Sequence, residues 1–279
     1  MELPFAKGHG TRNDFVVFAD PDDAWRLDDA QVRLLCDRRA GLGADGVLRA
    51  VRSKHALEWG GDPDGWFMDY RNADGGYAEM CGNGLRVFCR FLVEEGLAAG
   101  PELVVATRAG LRRGRLCPDG MIEATMGDVA LGDCFDVTVA AGEGPTRISA
   151  RFVDVGNPHL VSFLPPGVGL YGLDLSESPT WEPAGAFPAG VNCEFVQVLD
   201  EGELRMRVYE RGSAETWSCG TGVVACAAVA RHELWPNLDR VVVEVLGGRL
   251  SVAFDGAAAR LLGPAEIVAR GVVRLPERP

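Results

Sequence analysis

Hydrophobic and polar residues alternate over many short stretches of this chain. A period of two predicts strands with one face in a core, and turn residues between such strands are typical of antiparallel sheets. A glycine-rich turn at residues 41–46 leads into a further strand, the KGHG sequence at residues 7–10 predicts a turn, and residues 165–190 predict mostly loop. The predicted strands cover residues 15–18, 66–70, 103–107, 114–116, 121–126, 135–140, 146–155, 191–199, 204–209, 241–245, 249–254, 260–262 and 266–270.

Three other stretches have the hydrophobic spacing of helices. Residues 24–39 place their apolar side chains on one face, which predicts an amphipathic helix. Residues 85–95 and 223–232 predict the other two helices, and the helix at 85–95 is apolar on most of its faces. A helix of that kind is surrounded by protein, so we expect it in the middle of its domain.

These last two helices follow the same short sequence, CGNG at residues 81–84 and CGTG at residues 219–222, about half a chain apart. In each half several short strands lead to this turn and then to the helix. The repeat indicates a duplicated domain with pseudo-twofold symmetry, with a boundary close to residues 127–132. Such symmetry would bring the two helix N-termini together at an interface between the halves, a usual place for a small-ligand site.

The two repeated cysteines, Cys81 and Cys219, each directly precede a helix. The first turn of a helix has free backbone N–H groups and the positive end of the helix dipole. Both lower the pKa of a thiol from its free value of about 8.5 toward neutrality. Two cysteines in matching contexts therefore predict a pair that acts at one site.

Composition narrows the class of protein. A formal net charge of −12 argues against nucleic acid or an anionic membrane as a partner. We find neither a signal-peptide core in the first residues nor an apolar stretch long enough for a membrane span, which predicts a soluble, cytoplasmic protein. The eight cysteines include no CxxC pair and no Cys/His cluster, so we expect reduced thiols and no bound metal.

Several polar residues stand next to these motifs. Asn13 is interpreted either as a turn residue or as a ligand of a substrate, and Asn157, in the sequence GNPH, has the same two interpretations. Asn72 follows a predicted strand and Asn192 begins another. Glu210 and Arg211 come shortly before Cys219, where either a solvated ion pair or a binding role fits their position.

With Asn72, MCGNG, GNPH, the ERG segment and CGTG in this order, the chain resembles the diaminopimelate epimerases, from KGHGTRNDF to the last strands. The resemblance implies a fold of the α/β class (α+β type) with two pseudo-symmetric domains, each a mostly antiparallel curled sheet around a central helix. It places the active site between them. We assign the first domain to residues 1–126, with the final strand at about 265–279 returning to it, and the second to residues 127–264.

The resemblance also implies the site residues. Cys81 and Cys219 match the catalytic cysteines of the family, and His159, with Glu210, would tune their pKa values. The residues that the resemblance assigns to substrate binding are Asn13, Asn72, Gly82, Asn83, Asn157, Asn192, Glu210, Arg211, Gly220 and Thr221. Members need no cofactor, are expected to be homodimers, and convert LL-2,6-diaminopimelate to the meso form for lysine and peptidoglycan synthesis.

Three positions differ from the family pattern. Many members have a glycine pair, GLGNDF, where this chain has Gly10-Thr11-Arg12-Asn13. Ala214 stands where GxGET usually has glycine, and Gly46 stands where some members have glutamine. These differences leave open a relative that acts on another amino acid.

The expected mechanism uses two bases, because inverting Cα requires proton removal from one face and delivery to the other. One cysteine would be a thiolate and the other a thiol, and the two helix N-termini would stabilise the carbanion at the α-carboxylate. Arg211, Asn72 and Asn192 would bind the distal carboxylate, and Glu210 would accept from the α-ammonium. The alternatives are a proline-racemase-like or phenazine-type isomerase, an inactive binding protein of the same fold and, more weakly, a thiol-redox sensor.

Overall fold

A computed structural model describes residues 2–142 and 144–276 of the protein. The chain forms two compact units. One holds the described residues up to Thr125 together with those from Gly263 onward, and the other holds Met126–Leu262. Each unit is a sheet of short strands with one long helix.

The first unit contains, in chain order, β1 (Glu2–Gly10), β2 (Asn13–Ala19), α1 (Asp29–Cys36), β3 (Gly46–Arg52), β4 (Trp66–Asn72), α2 (Gly82–Glu94), β5 (Glu102–Thr107), β6 (Gly110–Leu116) and β7 (Ile122–Asp128). The second contains β8 (Ala130–Ala141), β9 (Thr146–Asp154), β10 (Pro158–Phe163), β11 (Leu173–Asp174), β12 (Thr180–Glu182), β13 (Asn192–Asp200), β14 (Glu203–Glu210), β15 (Ala214–Thr216), α3 (Gly220–Glu233), β16 (Arg240–Val245), β17 (Gly248–Asp255) and β18 (Ala258–Gly263). The last strand, β19 (Glu266–Arg274), returns to the first unit.

The two sheets have the same order and direction of strands. In the first unit the neighbours are β19-β1-β2-β3-β4-β5-β6-β7, and only the β2–β3 and β4–β5 pairs are parallel. In the second they are β8-β9-β10-β13-β14-β16-β17-β18, and only β10–β13 and β14–β16 are parallel. The shared topology confirms the internal repeat and the mostly antiparallel α+β fold.

The long helix of each unit lies against most strands of its own sheet. Helix α2 contacts β1, β2, β3, β4, β6 and β19, and α3 contacts β9, β10, β13, β14, β16 and β17. Nearly every side chain of α2 from Gly82 to Leu92 is buried, as the apolar pattern on most of its faces predicted. Both helices begin three residues earlier than predicted, because the Cys-Gly-x-Gly sequence forms their first turn.

Strand register defines equivalent positions in the two units. Phe15 pairs with Gly46 at the start of β3, and His159 pairs with Asn192 at the start of β13. Gly46 in turn lies opposite Asn72, and the β13–β14 register places Asn192 opposite Glu210. The equivalent pairs are Asn13 and Asn157, Phe15 and His159, Gly46 and Asn192, Asn72 and Glu210, and Cys81 and Cys219.

The helix predicted over residues 24–39 is wrong at both ends, since α1 covers only Asp29–Cys36. Ahead of it, the carboxylate of Asp20 accepts hydrogen bonds from the backbone of Ala24 and Trp25 at 2.7 and 2.9 Å. These bonds hold that segment outside the helix, and Asp28 then begins α1 with a capping box. Beyond Cys36, Asp37 has an extended backbone conformation that ends the helix.

The turn predicted at KGHG is also wrong, because β1 continues through these residues to Gly10. Its glycines are needed for close packing. A Cβ at Gly8 would lie 2.9 Å from Val87 Cγ1, and one at Gly10 would lie 3.1 Å from Arg86 Nη2. The turn instead uses Thr11 and Arg12, both with positive φ, before β2 begins.

Candidate active site

Cys81 is the N-cap residue of α2, and its half-buried sulfur accepts a hydrogen bond from Gly84 N–H at 3.4 Å. The Cys81 thiol also donates to Asn13 Oδ1 at 3.6 Å. The backbone of Gly82 and Asn83 forms the first helical turn beside the sulfur. The sequence prediction of a thiol at a helix N-terminus is confirmed here.

Asn13 is held by contacts on both ends of its amide. Its Nδ2 donates to Asp45 Oδ2 at 2.7 Å, and its Oδ1 accepts from Asn83 Nδ2 at 3.2 Å. The oxygen is therefore directed at Cys81. Sequence reasoning missed Asp45, although its position next to Gly46 at the start of a strand was a usable signal.

Arg86 lies beneath this group and is completely buried. It donates to Asn83 Oδ1 at 2.9 Å and to Gly82 O at 3.4 Å, so it holds the first turn of α2. Burial lowers the pKa of the Arg86 guanidinium to about 10, and the charge of Cys81 acts in the opposite direction. The guanidinium is still a cation at neutral pH. The sequence analysis did not identify it.

Asn72 is exposed at the end of β4, opposite Gly46. Gly46 has no room for a side chain, because a Cβ there would lie 2.6 Å from Arg71 O and 2.7 Å from Tyr70 Cε2. In the first unit the structure therefore groups Asn13, Asn83 and Cys81 through hydrogen bonds. The Asn72 side chain is not bound to them.

In the second unit Cys219 is the N-cap residue of α3 and is buried. Its sulfur accepts from Gly222 N–H and contacts Thr221 Oγ1, both at 3.4 Å. Burial raises the pKa of the Cys219 thiol well above its ordinary value, and the carboxylates of Glu210 and Glu194 raise it further. Gly220, which precedes Thr221 in the first turn, is buried as well.

A chain of polar contacts runs beneath Cys219. Glu194 Oε1 lies 2.7 Å from His159 Nδ1, and His159 Nε2 lies 3.0 Å from Asn157 Oδ1. Asn157 Nδ2 donates to Thr221 Oγ1 at 3.3 Å, and Thr221 contacts the sulfur. Because Asn157 offers its oxygen, His159 Nε2 is the donor in that contact, and Nδ1 is left to face Glu194.

Glu194 is the residue of this chain that sequence reasoning missed. Both it and His159 are completely buried, and Glu194 Oε2 has no hydrogen-bond partner within residues 2–142 and 144–276. In the sequence it stands two residues after Asn192 in a strand that otherwise reads as apolar. A carboxylate in such a strand was the available signal.

Glu210 and Asn192 lie at the adjoining ends of β14 and β13. Burial raises the pKa of Glu210, whereas hydrogen bonds from Thr216 and Cys219 lower it. Asn192 is buried and its Oδ1 accepts from the backbone N–H of Arg211 at 3.0 Å. Arg211 itself has an exposed side chain. The structure thus groups Cys219, Glu210, His159, Asn157 and Thr221, while Asn192 supports the backbone beside them.

Comparison with known proteins adds to this geometry. The profile of the diaminopimelate epimerase family matches residues 5–132 and 151–271. The diaminopimelate epimerase of Thermobifida fusca is 51% identical, with 98% of each chain covered. That of Rhodococcus erythropolis is 46% identical, with 97% of this chain and 96% of its own covered. This chain belongs to the diaminopimelate epimerase family. It is accordingly an isomerase whose substrate is a small amino acid.

Solved structures share the fold of this diaminopimelate epimerase family member at low sequence identity. A predicted epimerase from Pseudomonas aeruginosa has a TM-score of 0.71 at 16% identity, covering 98% of this chain and all of the other. A PhzF-family phenazine biosynthesis protein from Bacillus anthracis has a TM-score of 0.67 at 14% identity, covering 99% of this chain and all of the other. These likenesses confirm the predicted two-domain fold class.

Two of the three departures from the family pattern are explained by backbone conformation. Arg12 and Ala214 both have positive φ, 63° and 59°, the left-handed region in which glycine is favoured. Thr11, beside Arg12, also has positive φ. The non-glycine residues therefore keep the turn geometry that glycine would adopt. Gly46, the third departure, is required by the close approach of Arg71.

Three further features of this diaminopimelate epimerase family member concern its cysteines, its metal-ligating side chains and its helices. All eight cysteines are free thiols, and burial raises the pKa of one distant from the site, Cys89, to about 12. Within the described ranges no three His, Cys, Asp or Glu side chains are grouped to hold a metal ion. No described helix has both the length and the apolar character to span a membrane.

Proposed function

We propose that this protein interconverts LL-2,6-diaminopimelate and meso-diaminopimelate by proton transfer at one Cα, with Cys81 and Cys219 as the two bases. One cysteine, as a thiolate, takes the α-proton and becomes a thiol. The other, initially a thiol, gives its proton to the opposite face of the carbanion and becomes a thiolate. The reaction is balanced without a redox partner, and the two sulfurs exchange roles in the reverse direction.

One observation carries this proposal: α2 and α3 each begin at a cysteine whose sulfur accepts the N–H of the third residue after it, at 3.4 Å in both cases. A negative charge that develops on a sulfur, or on a carboxylate beside it, meets preorganised backbone donors. The first turns at Gly82-Asn83 and Gly220-Thr221 would bind the α-carboxylate and spread the charge of the carbanion onto it. This supplies the stabilisation that the reaction requires at Cα.

The remaining site residues would bind the substrate. Glu210 accepts from the α-ammonium, while Arg211, with Asn72, binds the distal carboxylate, since a guanidinium binds a carboxylate in a bidentate manner. Asn192 supports Arg211 through the 3.0 Å hydrogen bond to its backbone. Asn13 and Asn157 act beside the two sulfurs, and His159 tunes Cys219 through Asn157 and Thr221.

Solvent-deuterium exchange tests the function. The purified, reduced protein is incubated in D₂O with LL-diaminopimelate, meso-diaminopimelate, proline and other amino acids, and label at Cα is followed by mass spectrometry. We expect label in diaminopimelate alone. Equal or greater labelling of another amino acid would overturn the proposed substrate in favour of a different racemase.

Single cysteine variants test the mechanism. Cys81→Ser and Cys219→Ser should each lower the epimerisation rate by about a thousandfold or more, because a hydroxyl neither ionises like a thiol nor supplies an equivalent acid. Cys89→Ser, at a buried cysteine outside the site, is the control for general effects on thiols. Wild-type turnover in either catalytic variant would contradict the two-base scheme, and full activity after alkylation of both thiols would contradict it as well.

We also propose a cytoplasmic location and a homodimer, which are the expectations drawn from the sequence and its family resemblance. Both fit an enzyme of lysine and peptidoglycan precursor synthesis. Light scattering of the purified protein tests the oligomeric state, and a monomer at micromolar concentration would contradict that part of the proposal.

A further inference from the structure

In the first unit the side-chain amide of Asn13 presents its oxygen to Cys81. Asn13 Oδ1 accepts from the Cys81 thiol at 3.6 Å and from Asn83 Nδ2 at 3.2 Å. At its other end Asn13 Nδ2 donates to Asp45 Oδ2 at 2.7 Å. An amide has an accepting oxygen and a donating nitrogen, so the groups around Asn13 decide which of the two the sulfur contacts.

Two charged residues, Asp45 and Arg86, fix this orientation from the two ends of the group. Burial raises the pKa of Asp45, but its carboxylate accepts three hydrogen bonds, from Asn13 Nδ2 at 2.7 Å, the Asp14 backbone N–H at 3.0 Å and Arg38 Nη2 at 2.7 Å. Arg86 can only donate. It donates to Asn83 Oδ1 at 2.9 Å, which leaves Asn83 Nδ2 to face Asn13. A reversed Asn13 amide would set two donors against each other at Asn83 and two acceptors at Asp45.

In the second unit the equivalent amide, that of Asn157, has the opposite orientation. Its oxygen faces His159 Nε2 at 3.0 Å, and its Nδ2 donates to Thr221 Oγ1 at 3.3 Å. Thr221 contacts the sulfur of Cys219 at 3.4 Å. Because the Thr221 oxygen accepts from Asn157, its own hydrogen is available to that sulfur. Burial and two nearby carboxylates raise the pKa of the Cys219 thiol, and the contact with Thr221 lowers it.

The two residues that fix the first amide are replaced by valines in the second unit. Asp45 directly precedes β3, and Val191 directly precedes the equivalent strand β13. Arg86 and Val224 each lie five residues after the cysteine of their unit. Both valines are buried and apolar. With neither a carboxylate nor a guanidinium at these positions, the orientation of the second amide is set by His159.

Ionisable side chains surround both cysteines and come from several elements. Around Cys81 they are Lys7 on β1, Asp14 on β2, Arg38 after α1, Asp45 before β3 and Arg86 on α2, with Lys7 and Arg38 paired to the two carboxylates. Around Cys219 they are His159 on β10, Glu194 on β13 and Glu210 on β14. The hydrogen bond from Cys81 to Asn13 differs from these charge effects, because a thiol can donate it and a thiolate cannot.

We propose that the two asparagines act on their cysteines with opposite ends of the amide. Asn13 Oδ1 holds Cys81 as a thiol in the substrate-free enzyme, whereas Asn157, through the Thr221 hydroxyl, offers a donor to the sulfur of Cys219. Within the proposed two-cysteine function, on which this inference rests, Cys81 is ready to give its proton to the carbanion. The donor at Cys219 stabilises the negative charge that this sulfur carries once it has given up its proton.

Alkylation of each cysteine as a function of pH tests this inference without any substrate. The protein is treated briefly with iodoacetamide at a series of pH values, and modification at Cys81 and Cys219 is quantified from their peptides by mass spectrometry. In the wild-type protein we expect the alkylation midpoint of Cys81 above neutral pH, although the cysteine caps a helix N-terminus. A midpoint below neutral pH would identify Cys81 as a thiolate and would overturn the inference.

The same substitution at the two asparagines should have opposite effects. Asn13→Leu removes an acceptor from the Cys81 thiol and should lower the Cys81 midpoint by about half to one pH unit. Asn157→Leu removes the donor to Thr221 and should raise the Cys219 midpoint by about the same amount. Shifts of the same sign, or an unchanged Cys81 midpoint in Asn13→Leu, would overturn the inference, since a merely structural role predicts no opposition of sign.

Two further variants control for other causes. Asn72→Leu is the matched control, because Asn72 is exposed at the end of β4 and its side chain is not bonded to Asn13 or Cys81 in the described part of the chain. It should leave the Cys81 midpoint unchanged. Asn13→Asp combined with Asp45→Asn keeps an acceptor at the sulfur and the same total charge, so its Cys81 midpoint should stay at or above that of the wild type. A decrease in this variant would overturn the inference.

The outcome is separable from that of the proposed function. If the wild type epimerises diaminopimelate but the two leucine variants shift their midpoints in the same direction, this inference alone fails. If the shifts are opposite while diaminopimelate is not labelled, the proposed substrate fails and the opposite roles of the two amides stand. Should Asn13→Leu not fold, the wild-type midpoint of Cys81 and the variant that exchanges Asn13 and Asp45 still decide.

Discussion

The backbone conformation around Cys81 matches that around Cys219, but the charged side chains near the two cysteines differ. Both cysteines cap a helix and accept a hydrogen bond from the N–H of the third residue after them, at 3.4 Å. Beneath Cys81 the sheet presents Phe15 and Leu48, whereas the equivalent positions beneath Cys219 are His159 and Glu194. The packing of the first-turn glycines shows the same difference. Gly84 packs against those apolar side chains, whereas Gly222 packs against Glu194.

The two helices also differ in the charge that they carry one turn after the cysteine. Arg86 in α2 is a buried cation that donates to Gly82 O and Asn83 Oδ1, whereas the equivalent residue in α3, Val224, is buried and apolar. The repeated fold supplies two similar helix N-termini. Side chains in the layer beneath them differ, and in the second unit burial and the carboxylates of Glu210 and Glu194 raise the pKa of the Cys219 thiol.

The largest stability effect is expected from breaking the buried pair beneath Cys219. Glu194→Gln removes the charge that accompanies His159 in a fully buried site, and should lower the free energy of unfolding by about 3 kcal/mol. Urea unfolding measures it. Glu203→Gln, which breaks an exposed pair with Arg249, is the control and should change stability by less than about 1 kcal/mol. Equal effects of the two substitutions would contradict the importance of the buried pair.

The first-turn glycines allow the same substitution in both units. A Cβ at Gly222 would lie 2.6 Å from Glu194 Oε1, whereas one at Gly84 would lie 3.4 Å from Leu48 Cδ2. Gly222→Ala should therefore lower the free energy of unfolding by about 2 kcal/mol through overpacking. Gly84→Ala should be neutral or slightly stabilising, because alanine favours helix. Thermal unfolding of both variants checks this, and a larger loss in Gly84→Ala would show that the two first turns are packed differently from this description.

Asp14 in the first unit and Glu210 in the second should contribute to the pH dependence of stability in opposite directions. Burial raises the pKa of Asp14, but hydrogen bonds from Arg38 and Lys7 outweigh it and lower the pKa from 3.8 to about 2. Asp14 therefore stabilises the fold above pH 3.8, and this stabilisation is lost as the pH falls toward 2. The Asp14→Asn variant should lose about 1 kcal/mol relative to wild type near neutral pH and nothing in strong acid.

Glu210 should behave in the reverse manner, because burial raises its pKa above the ordinary value of 4.5. Its contribution to stability is complete below pH 4.5 and is lost as the pH rises through its value in the folded protein. Glu210→Gln should therefore become more stable relative to wild type as the pH increases. Urea unfolding at a series of pH values measures both variants, and parallel profiles for Asp14→Asn and Glu210→Gln would contradict the contrast.

The smallest effects concern the turns that precede the site residues. Arg12 and Gly156 occupy equivalent positions before Asn13 and Asn157, and both have positive φ, 63° and 90°. Gly156→Ala should lower the free energy of unfolding by about 1 kcal/mol through backbone strain alone, since the space around it is open. Ala214→Gly, at φ 59°, should raise it by up to about 1 kcal/mol. Thermal unfolding checks both, and changes of the same sign would contradict this explanation.

Much of the fold was readable from the sequence. The strands and the two helices after Cys81 and Cys219 were found because alternation and helical spacing are local properties of the chain. The strands predicted at residues 241–245 and 249–254 pair with each other as a hairpin, with Val245 opposite Gly248. The errors were at element ends and at KGHG, which was predicted as a turn but lies in β1. Residues 24–28 have helical spacing, but the Asp20 carboxylate binds the backbone there, and no periodicity reveals such a contact.

The candidate site was predictable in part. Cys81, Cys219, His159 and the asparagines stand in short motifs, so a single sequence is enough to single them out. Glu194 and Arg86 were missed because they lie in stretches that read as apolar strand and helix. The role of a charged residue in such a stretch depends on which side chains the neighbouring elements place against it.

The sequence by itself determines where strands, glycine turns and capped helices form. Its repeated Cys-Gly-x-Gly motif predicts that a cysteine precedes a central helix in each half. These are properties of neighbouring residues, set by backbone sterics and by hydrogen bonds within a turn. Only the folded units decide which charge lies beneath each sulfur. Glu194 meets His159 through the register of two strands. Arg86 meets Thr11 Oγ1 and Pro264 O through burial of α2. Electrostatic interactions act through space at a few ångströms, so they depend on packing between residues that are distant in sequence.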